Sequence, residues 1–314
     1  MASIQAVVVT EGAPARLALT QVDAPTPAAN EALVRVRTIS LNRGEVRRSQ
    51  TAAVGWRPGW DLGGTVEQAA ADGSGPPKGS RVVGFMPSGA WAELVAVPSN
   101  SLALLPDEVS FAQAATLPVA GLTALMGIER AGGLLGRSVL ITGASGGVGD
   151  FAVQLARAAG AHVTAHVRSE ARGKRLRDIG AHSLAVGENL GAARGPFELV
   201  FDGVGGALLG EALGLLAKGG LAVAYGQTAG PTTTFNLAQF YATGGASLYG
   251  FILFHELLRE PAGVGLKRLA AMVADGRLQP LIGAEASWTE IGTMAQRLQE
   301  RDYAGKAVLH VGAS

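Results

Sequence analysis

The stretch Leu140–Val163, LITGASGGVGDFAVQLARAAGAHV, constrains this chain more than any other. Apolar residues lead into a burst of glycines, an apolar-periodic run comes next, and a second apolar run begins. That order reads as strand, tight turn, helix and strand, the opening of a βαβ unit. Gly143, Gly146 and Gly149 would let backbone N–H groups approach a pyrophosphate at a helix N-terminus, where the macrodipole favours negative charge. A tight turn without a ligand is the competing reading. The residues downstream favour the phosphate cradle. SVLITG, HVTAHV, SLAV, FELVFDG and GLAVAYG read as strands, alternating with helical stretches over Val148–Ala159, Glu170–Ile179 and Leu208–Leu216. This is the rhythm of a doubly wound parallel sheet.

Before Ser138 the chain reads differently. IQAVVV, RLALTQV, ALVRVRTIS, GGTVEQAA, SRVVGF and AWAELVAV are short β-rich runs separated by Gly, Pro and Asp turns. After Gly250 come a helix near His255–Asp275, another near Thr289–Glu300 and a last strand, KAVLHV. The expectation is therefore a β-rich domain over residues 1–118, a nucleotide-binding domain over 119–249, and a return segment over 250–314.

A formal charge of +1 gives no electrostatic case for nucleic acid or an anionic membrane surface. The absence of cysteine removes disulfides, thiolate metal ligands and cysteine nucleophiles together. The amino-terminal run lacks a signal-peptide pattern and no run has the length of a membrane helix, so a soluble, cytoplasmic protein is expected.

Thr142–Gly149, TGASGGVG, resembles the glycine motif of short-chain dehydrogenases. Those proteins need a tyrosine with a lysine four residues on, and Tyr225, Tyr241, Tyr249 and Tyr303 all lack one. Across nearly its whole length the chain instead resembles the quinone oxidoreductase-like (zeta-crystallin-like) branch of the medium-chain dehydrogenase/reductase superfamily. The resemblance rests on SLNRGE (Ser40–Glu45), RPGWDLGG (Arg57–Gly64), GSRVVGF (Gly79–Phe85) and GAWAELVAVP (Gly89–Pro98). It continues through AATLPVAGLTAL (Ala114–Leu125), the glycine loop, FDGVGG (Phe201–Gly206) and GKAVL (Gly305–Leu309). It implies an α/β architecture: a GroES-like catalytic domain beside a Rossmann domain.

The resemblance also implies site residues. Asn42 stands where relatives place an asparagine near the acceptor, and where the zinc-dependent members have their first metal ligand. Its amide would donate to developing oxyanion charge, or it is an ordinary turn residue. Glu45 either holds the site by hydrogen bonds or is a solvated carboxylate. Arg47 replaces an aromatic residue of quinone reductases, which favours a substrate with a polar or anionic group unless the side chain is merely solvated. No metal site is expected, because His162 and His166 lie on a strand, where four residues span about 13 Å.

The expected cofactor is NADPH. The second strand ends in Arg168 and Ser169 instead of an acid, and Arg172 falls where relatives carry a phosphate-binding lysine. Ser145, Gly146, Gly147 and Val148 would cradle the diphosphate, and Thr123 would meet the carboxamide. Asp202, Gly203, Val204 and Gly226 would close the strand ends beneath the nicotinamide ribose or are plain strand-end turns, and Phe251 would roof the ring or is a core residue. Lys306 belongs to a GK pair of unassigned role. The resemblance thus implies metal-independent hydride transfer to a quinone or related conjugated carbonyl, with a proton from water or a ribose hydroxyl. An enone or enoyl-thioester reductase and a non-catalytic NADPH-binding sensor or partner subunit remain open. A homodimer is expected through the Rossmann sheet edge around Ala222–Thr234.

Overall fold

Alternation decides the strands of the first unit. In Glu31–Ser40 the side chains of Ala32, Val34 and Val36 point inward while Arg35 and Arg37 point out, the period-two pattern of a half-buried strand. The computed structural model describes residues 2–312. Its strands, in chain order, are β1 (Ser3–Val9), β2 (Leu17–Asp23), β3 (Glu31–Ser40), β4 (Asp61–Gln68), β5 (Arg81–Phe85), β6 (Leu94–Pro98), β7 (Leu102–Leu104), β8 (Ser138–Ile141), β9 (His162–Val167), β10 (Ser183–Val186), β11 (Phe197–Asp202), β12 (Leu216–Ala224), β13 (Ser247–Gly250), β14 (Ile282–Ser287) and β15 (Lys306–His310). The helices are α1 (Arg43–Ser49), α2 (Phe111–Ala115), α3 (Leu122–Glu129), α4 (Gly147–Ala158), α5 (Glu170–Asp178), α6 (Gly206–Leu213), α7 (Leu237–Ala242), α8 (Leu253–Glu256), α9 (Ala262–Ala274) and α10 (Ile291–Glu300).

The chain divides into two units, Met1–Leu122 with Leu257–Ser314, and Thr123–Glu256. The first division falls inside the continuous helix α3. In the first unit a seven-stranded sheet runs β14-β15-β3-β4-β5-β7, with β6 also on β3, beside the β1–β2 hairpin. The return segment completes this unit's core: Trp288, Ile291, Met294 and Leu298 pack with Val34, Ile39, Leu62 and Trp91. Burying such side chains contributes about 1.5–3 kcal/mol each.

In the second unit six strands run β10-β9-β8-β11-β12-β13, all parallel. The middle strands are apolar on both faces, with Val139, Leu140, Ile141, Leu199, Val200 and Phe201 fully buried. This order is that of the Rossmann fold, and its direction of winding reverses between β8 and β11.

Three expectations change. The helix near His255–Asp275 is two helices, because Pro261 caps α9 and its ring disfavours a helical residue before it. The strands β13 and β14 lack a strong apolar pattern and form by pairing to β12 and β15. The edge of the parallel sheet on this side is not at Ala222–Thr234, since β12 is paired on both sides; it is β13, with β10 forming the opposite edge. Near that edge Phe235, Leu237, Tyr241, Leu248 and Ile252 are exposed.

Candidate active site and cofactor cradle

In the first unit, chemistry gathers where β3 passes into α1. Asn42 caps α1 through a capping box: its backbone N–H donates to Glu45 Oε1 at 2.8 Å. Its amide nitrogen donates to Glu45 Oε1 at 2.9 Å and to Asp61 Oδ2 at 2.7 Å, so both amide hydrogens are committed. Its amide oxygen accepts from the Lys306 ammonium, which also donates to Leu41 O at 2.9 Å and Asp61 Oδ2 at 3.1 Å. Asp61 is further held by Ser40 Oγ at 2.6 Å and the Val119 amide at 2.9 Å.

This network lies almost entirely out of water: Glu45 and Asp61 are 0% exposed and Lys306 is 4% exposed. One buried ammonium balances one buried carboxylate. A second carboxylate, Glu45, is driven well above its usual pKa, first by burial and then by Asp61, and Glu45 Oε2 has no partner. A neutral Glu45 leaves the cluster without net charge, the only cheap state for buried ions.

The structure therefore unites Asn42, Glu45 and Lys306, and it adds Asp61, to which the sequence alone assigned no role. The only hint was a lone acid in a glycine-rich strand. Glu45 is no surface carboxylate. The donor role foreseen for the Asn42 amide is corrected, because its hydrogens are spent on Glu45 and Asp61. Arg47 is exposed near the end of α1, and its guanidinium bonds to no described residue.

In the second unit the glycine loop sits at the carboxyl end of β8, next to the reversal of strand order. Gly143 takes a left-handed φ of +61° and its carbonyl accepts from the Gly146 amide at 3.0 Å. A Cβ on Gly149 would lie 2.4 Å from Gly143 O, so only glycine lets α4 start this close to the loop. Ser145 and Gly146 lead into α4, and the amides of Gly147 and Val148 are in its first turn, where no intrahelical carbonyl is in reach.

Across the reversal, Thr142 Oγ1 donates to Asp202 Oδ1 at 2.5 Å, and Asp202 Oδ2 accepts from the Gly205 amide at 2.8 Å. Burial raises the Asp202 pKa despite these bonds. They fix Gly203 and Val204, whose side chain is the nearest atom to a Cβ on Gly143, at 3.3 Å. Gly226 packs against the Gly203 carbonyl and Phe251 donates its amide to Ala224 O at 2.9 Å. Thr123 is buried in α3.

The structure sorts the basic residues after β9. Arg175 is bound to Asp150 at 2.8 Å and Arg177 to Glu170 at 2.6 Å. Arg168 and Ser169 are exposed, their side chains bond to no described residue, and Ser169 leaves α5 uncapped by its hydroxyl. Arg172 lies in the first turn of α5 and is partly buried. The Ala144 amide donates to His166 O at 3.3 Å, which ties the glycine loop to β9, the strand that ends at Val167 just before Arg168.

A β-rich unit of this topology, followed in the chain by a doubly wound unit with its glycine loop at the strand-order reversal, defines a class of two-unit nucleotide-binding proteins. Family models agree: residues 28–107 match the alcohol dehydrogenase GroES-like domain and residues 147–263 the zinc-binding dehydrogenase domain. The chain belongs to the medium-chain dehydrogenase/reductase superfamily, in its quinone oxidoreductase-like branch. It is 30% identical over 269 residues to a tomato (Solanum lycopersicum) 2-methylene-furan-3-one reductase, a match covering 81% of this chain and 63% of that protein. The chain thus spans somewhat under two thirds of that relative's length. The quinone oxidoreductase from Coxiella burnetii superposes with a TM-score of 0.85 at 25% identity, covering 99% of this chain and 100% of that one. Mycobacterial Rv1454c complexed with NADPH superposes with a TM-score of 0.84 at 28% identity, covering 98% and 99%.

The zinc in the name of one matching domain does not fit this chain. There is no cysteine, and among the described residues no three of His, Asp and Glu gather as metal ligands. The paired acids Glu45 and Asp61 already face a cation, the Lys306 ammonium. No helix among the described residues is long and apolar enough to cross a membrane.

Proposed function

We propose that this protein is an NADPH-dependent reductase of quinones or related conjugated carbonyl compounds that needs no metal ion. The observation that carries the reading is the uncommitted Arg168–Ser169 pair at the carboxyl end of β9, bonded through its strand to the glycine loop. A 2′-phosphate prefers a guanidinium fork and a hydroxyl, and the neighbouring acid, Glu170, is paired with Arg177.

When bound, NADPH supplies hydride from its nicotinamide C4. The amides of Gly147 and Val148, with Ser145 and Gly146, hold the diphosphate at the start of α4. Arg168, Ser169 and Arg172 hold the 2′-phosphate. Asp202 keeps Gly203 and Val204 in place, and Thr123, Gly226 and Phe251 bind toward the nicotinamide. Asn42, Glu45 and Lys306 serve as positioning residues that brace α1 and Arg47. The phenols of Tyr225 and Tyr303 are driven above their ordinary pKa by burial, so neither is suited to give up a proton. Water or a ribose hydroxyl of the nucleotide serves as the proton source. The protein acts in the cytoplasm as a homodimer joined through the exposed edge of β13, which sedimentation at micromolar concentration checks.

Titrations with NADPH and NADH test the cofactor assignment. A charge-assisted bond contributes about 1.5–3 kcal/mol, so Arg168→Ala is expected to weaken NADPH about tenfold or more. NADH should change by about threefold at most, since it lacks the group that Arg168 meets. Equal affinity of the unaltered protein for the two nucleotides would sink the assignment. Rapid mixing of the NADPH complex with quinones and enones separates a reductase from a protein that only binds the nucleotide.

A further inference from the structure

A guanidinium drawn even partly out of water needs acceptors, because a buried N–H left unpaired costs about 1–3 kcal/mol and more when charged. The partly buried arginines of this protein follow that rule. Arg16 donates to the carbonyls of Ser49, Gln50 and Ala52, and Arg81 to those of Pro106, Asp107 and Val109. Arg35, Arg130 and Arg175 meet Glu67, Glu256 and Asp150. Arg57 does not follow it. It is partly buried, yet its guanidinium makes no hydrogen bond or ion pair with any described residue, and its Nε is shut off from solvent without an acceptor. Burial lowers its pKa and no carboxylate pulls it back.

The backbone around Arg57 is firmly built. Ser88 Oγ donates to Arg57 O at 2.5 Å. Gly59, at φ +114°, packs so closely on Trp91 that a Cβ would lie 2.4 Å from the Trp91 amide nitrogen. Trp60 donates its indole N–H to Pro87 O at 3.1 Å, and its ring lies on Gly44 of α1. Four residues after Arg57 comes Asp61, which holds Asn42. The segment that carries Arg57 thus packs on α1 through Trp60 and leads directly into Asp61 of the Asn42 network, forming one wall of the first unit.

That wall is positive. Residues 41–60 carry Arg43, Arg47, Arg48 and Arg57 against one acid, Glu45, which is buried. Arg43 is bound to Leu298 O at 2.9 Å and Arg48 lies over the Trp56 ring at 4.8 Å. Arg47 and Arg57 spend no donor on any described residue.

We infer that Arg57 recognises an anionic group, a carboxylate or a phosphate, carried by the substrate, with Arg47 adding charge at the rim. The inference rests on the reductase reading, which it narrows to conjugated carbonyl compounds bearing negative charge. A planar fork with free donors fits either oxyanion in a bidentate manner, and the partly exposed Trp56 offers flat apolar surface for the rest of the molecule.

Equilibrium binding, read from tryptophan fluorescence of the full chain with NADP⁺ present, tests this without turnover. 4-Carboxybenzalacetone is compared with its methyl ester, and crotonyl-coenzyme A with crotonyl-pantetheine, so that the carboxylate and phosphate sources are scored separately. The unaltered protein is expected to favour at least one charged member over its neutral partner by about tenfold or more. Arg57→Gln should bring that ratio to within about threefold, and Arg57→Lys, which keeps charge but loses the fork, should fall between. Equal binding of charged and neutral members by the unaltered protein overturns the inference, as does a preference that survives in Arg57→Gln. NADPH oxidation by the same four compounds is scored apart: no oxidation despite a clear charge preference sinks the reductase reading and leaves the anion site standing.

Discussion

Replacing Lys306 with methionine is expected to destabilise the protein by about 3–5 kcal/mol, the cost of leaving one member of a buried ion pair alone. Asp61 is 0% exposed and would lose its counter-charge. Leu41 O and the Asn42 amide oxygen would lose their donor in the same change. At about 2–4 °C per kcal/mol for a unit of this size, the melting midpoint should drop by about 10 °C. Because the penalty belongs to the pair, Lys306→Met with Asp61→Asn should cost less than the two changes summed, by about 1–3 kcal/mol. Simple additivity in thermal or denaturant unfolding would show that the two side chains do not depend on each other. The pH dependence reports the same network. Folding raises the Glu45 pKa, so the native chain holds that proton more tightly, and this contribution to stability declines as pH rises above the usual 4.5. Glu45→Gln should remove that part of the decline; an unchanged slope between the two proteins would refute it.

Gly149→Ala is expected to cripple nucleotide binding. The added methyl group would sit 2.4 Å from Gly143 O and 2.6 Å from Ala144 Cα, both backbone atoms that cannot swing aside. Either α4 withdraws from the loop or the loop shifts, and in both cases the first-turn amides leave their positions. Overpacking of this kind costs about 1–3 kcal/mol in stability, and affinity for NADPH should fall about tenfold to a hundredfold as the cradle distorts. Gly133→Ala, where a Cβ meets nothing within 4 Å, is the matched control. If both variants bind NADPH as the unaltered protein does, Gly149 has no part in the cradle.

Much of the second unit could be read from local pattern. A strand, three glycines at fixed spacing and a helix are neighbours in the chain, so their meaning does not depend on distant partners. The same holds for the positions of Arg168 and Ser169 after β9. It fails for β13 and β14, short runs without a clear alternation that become strands because β12 and β15 offer them a ladder. It also failed for the sheet edge. Strand order is a tertiary property, and one unforeseen strand moved the edge from β12 to β13.

Order along the chain was enough to read the two-unit architecture, the glycine loop and the basic residues beside it, because each depends on residues a few positions apart. Contacts between distant segments were needed to settle what the polar residues of the first unit do. Lys306 lies 245 residues from Asp61 and 264 from Asn42, and no periodicity links them. Their meeting out of water turns an expected substrate donor into a braced cap, and a plain carboxylate into a buried acid inclined to stay neutral. Whether a buried charge finds a partner is set by what folds around it, which is why Arg57 drew no notice in the sequence and stands out in the fold.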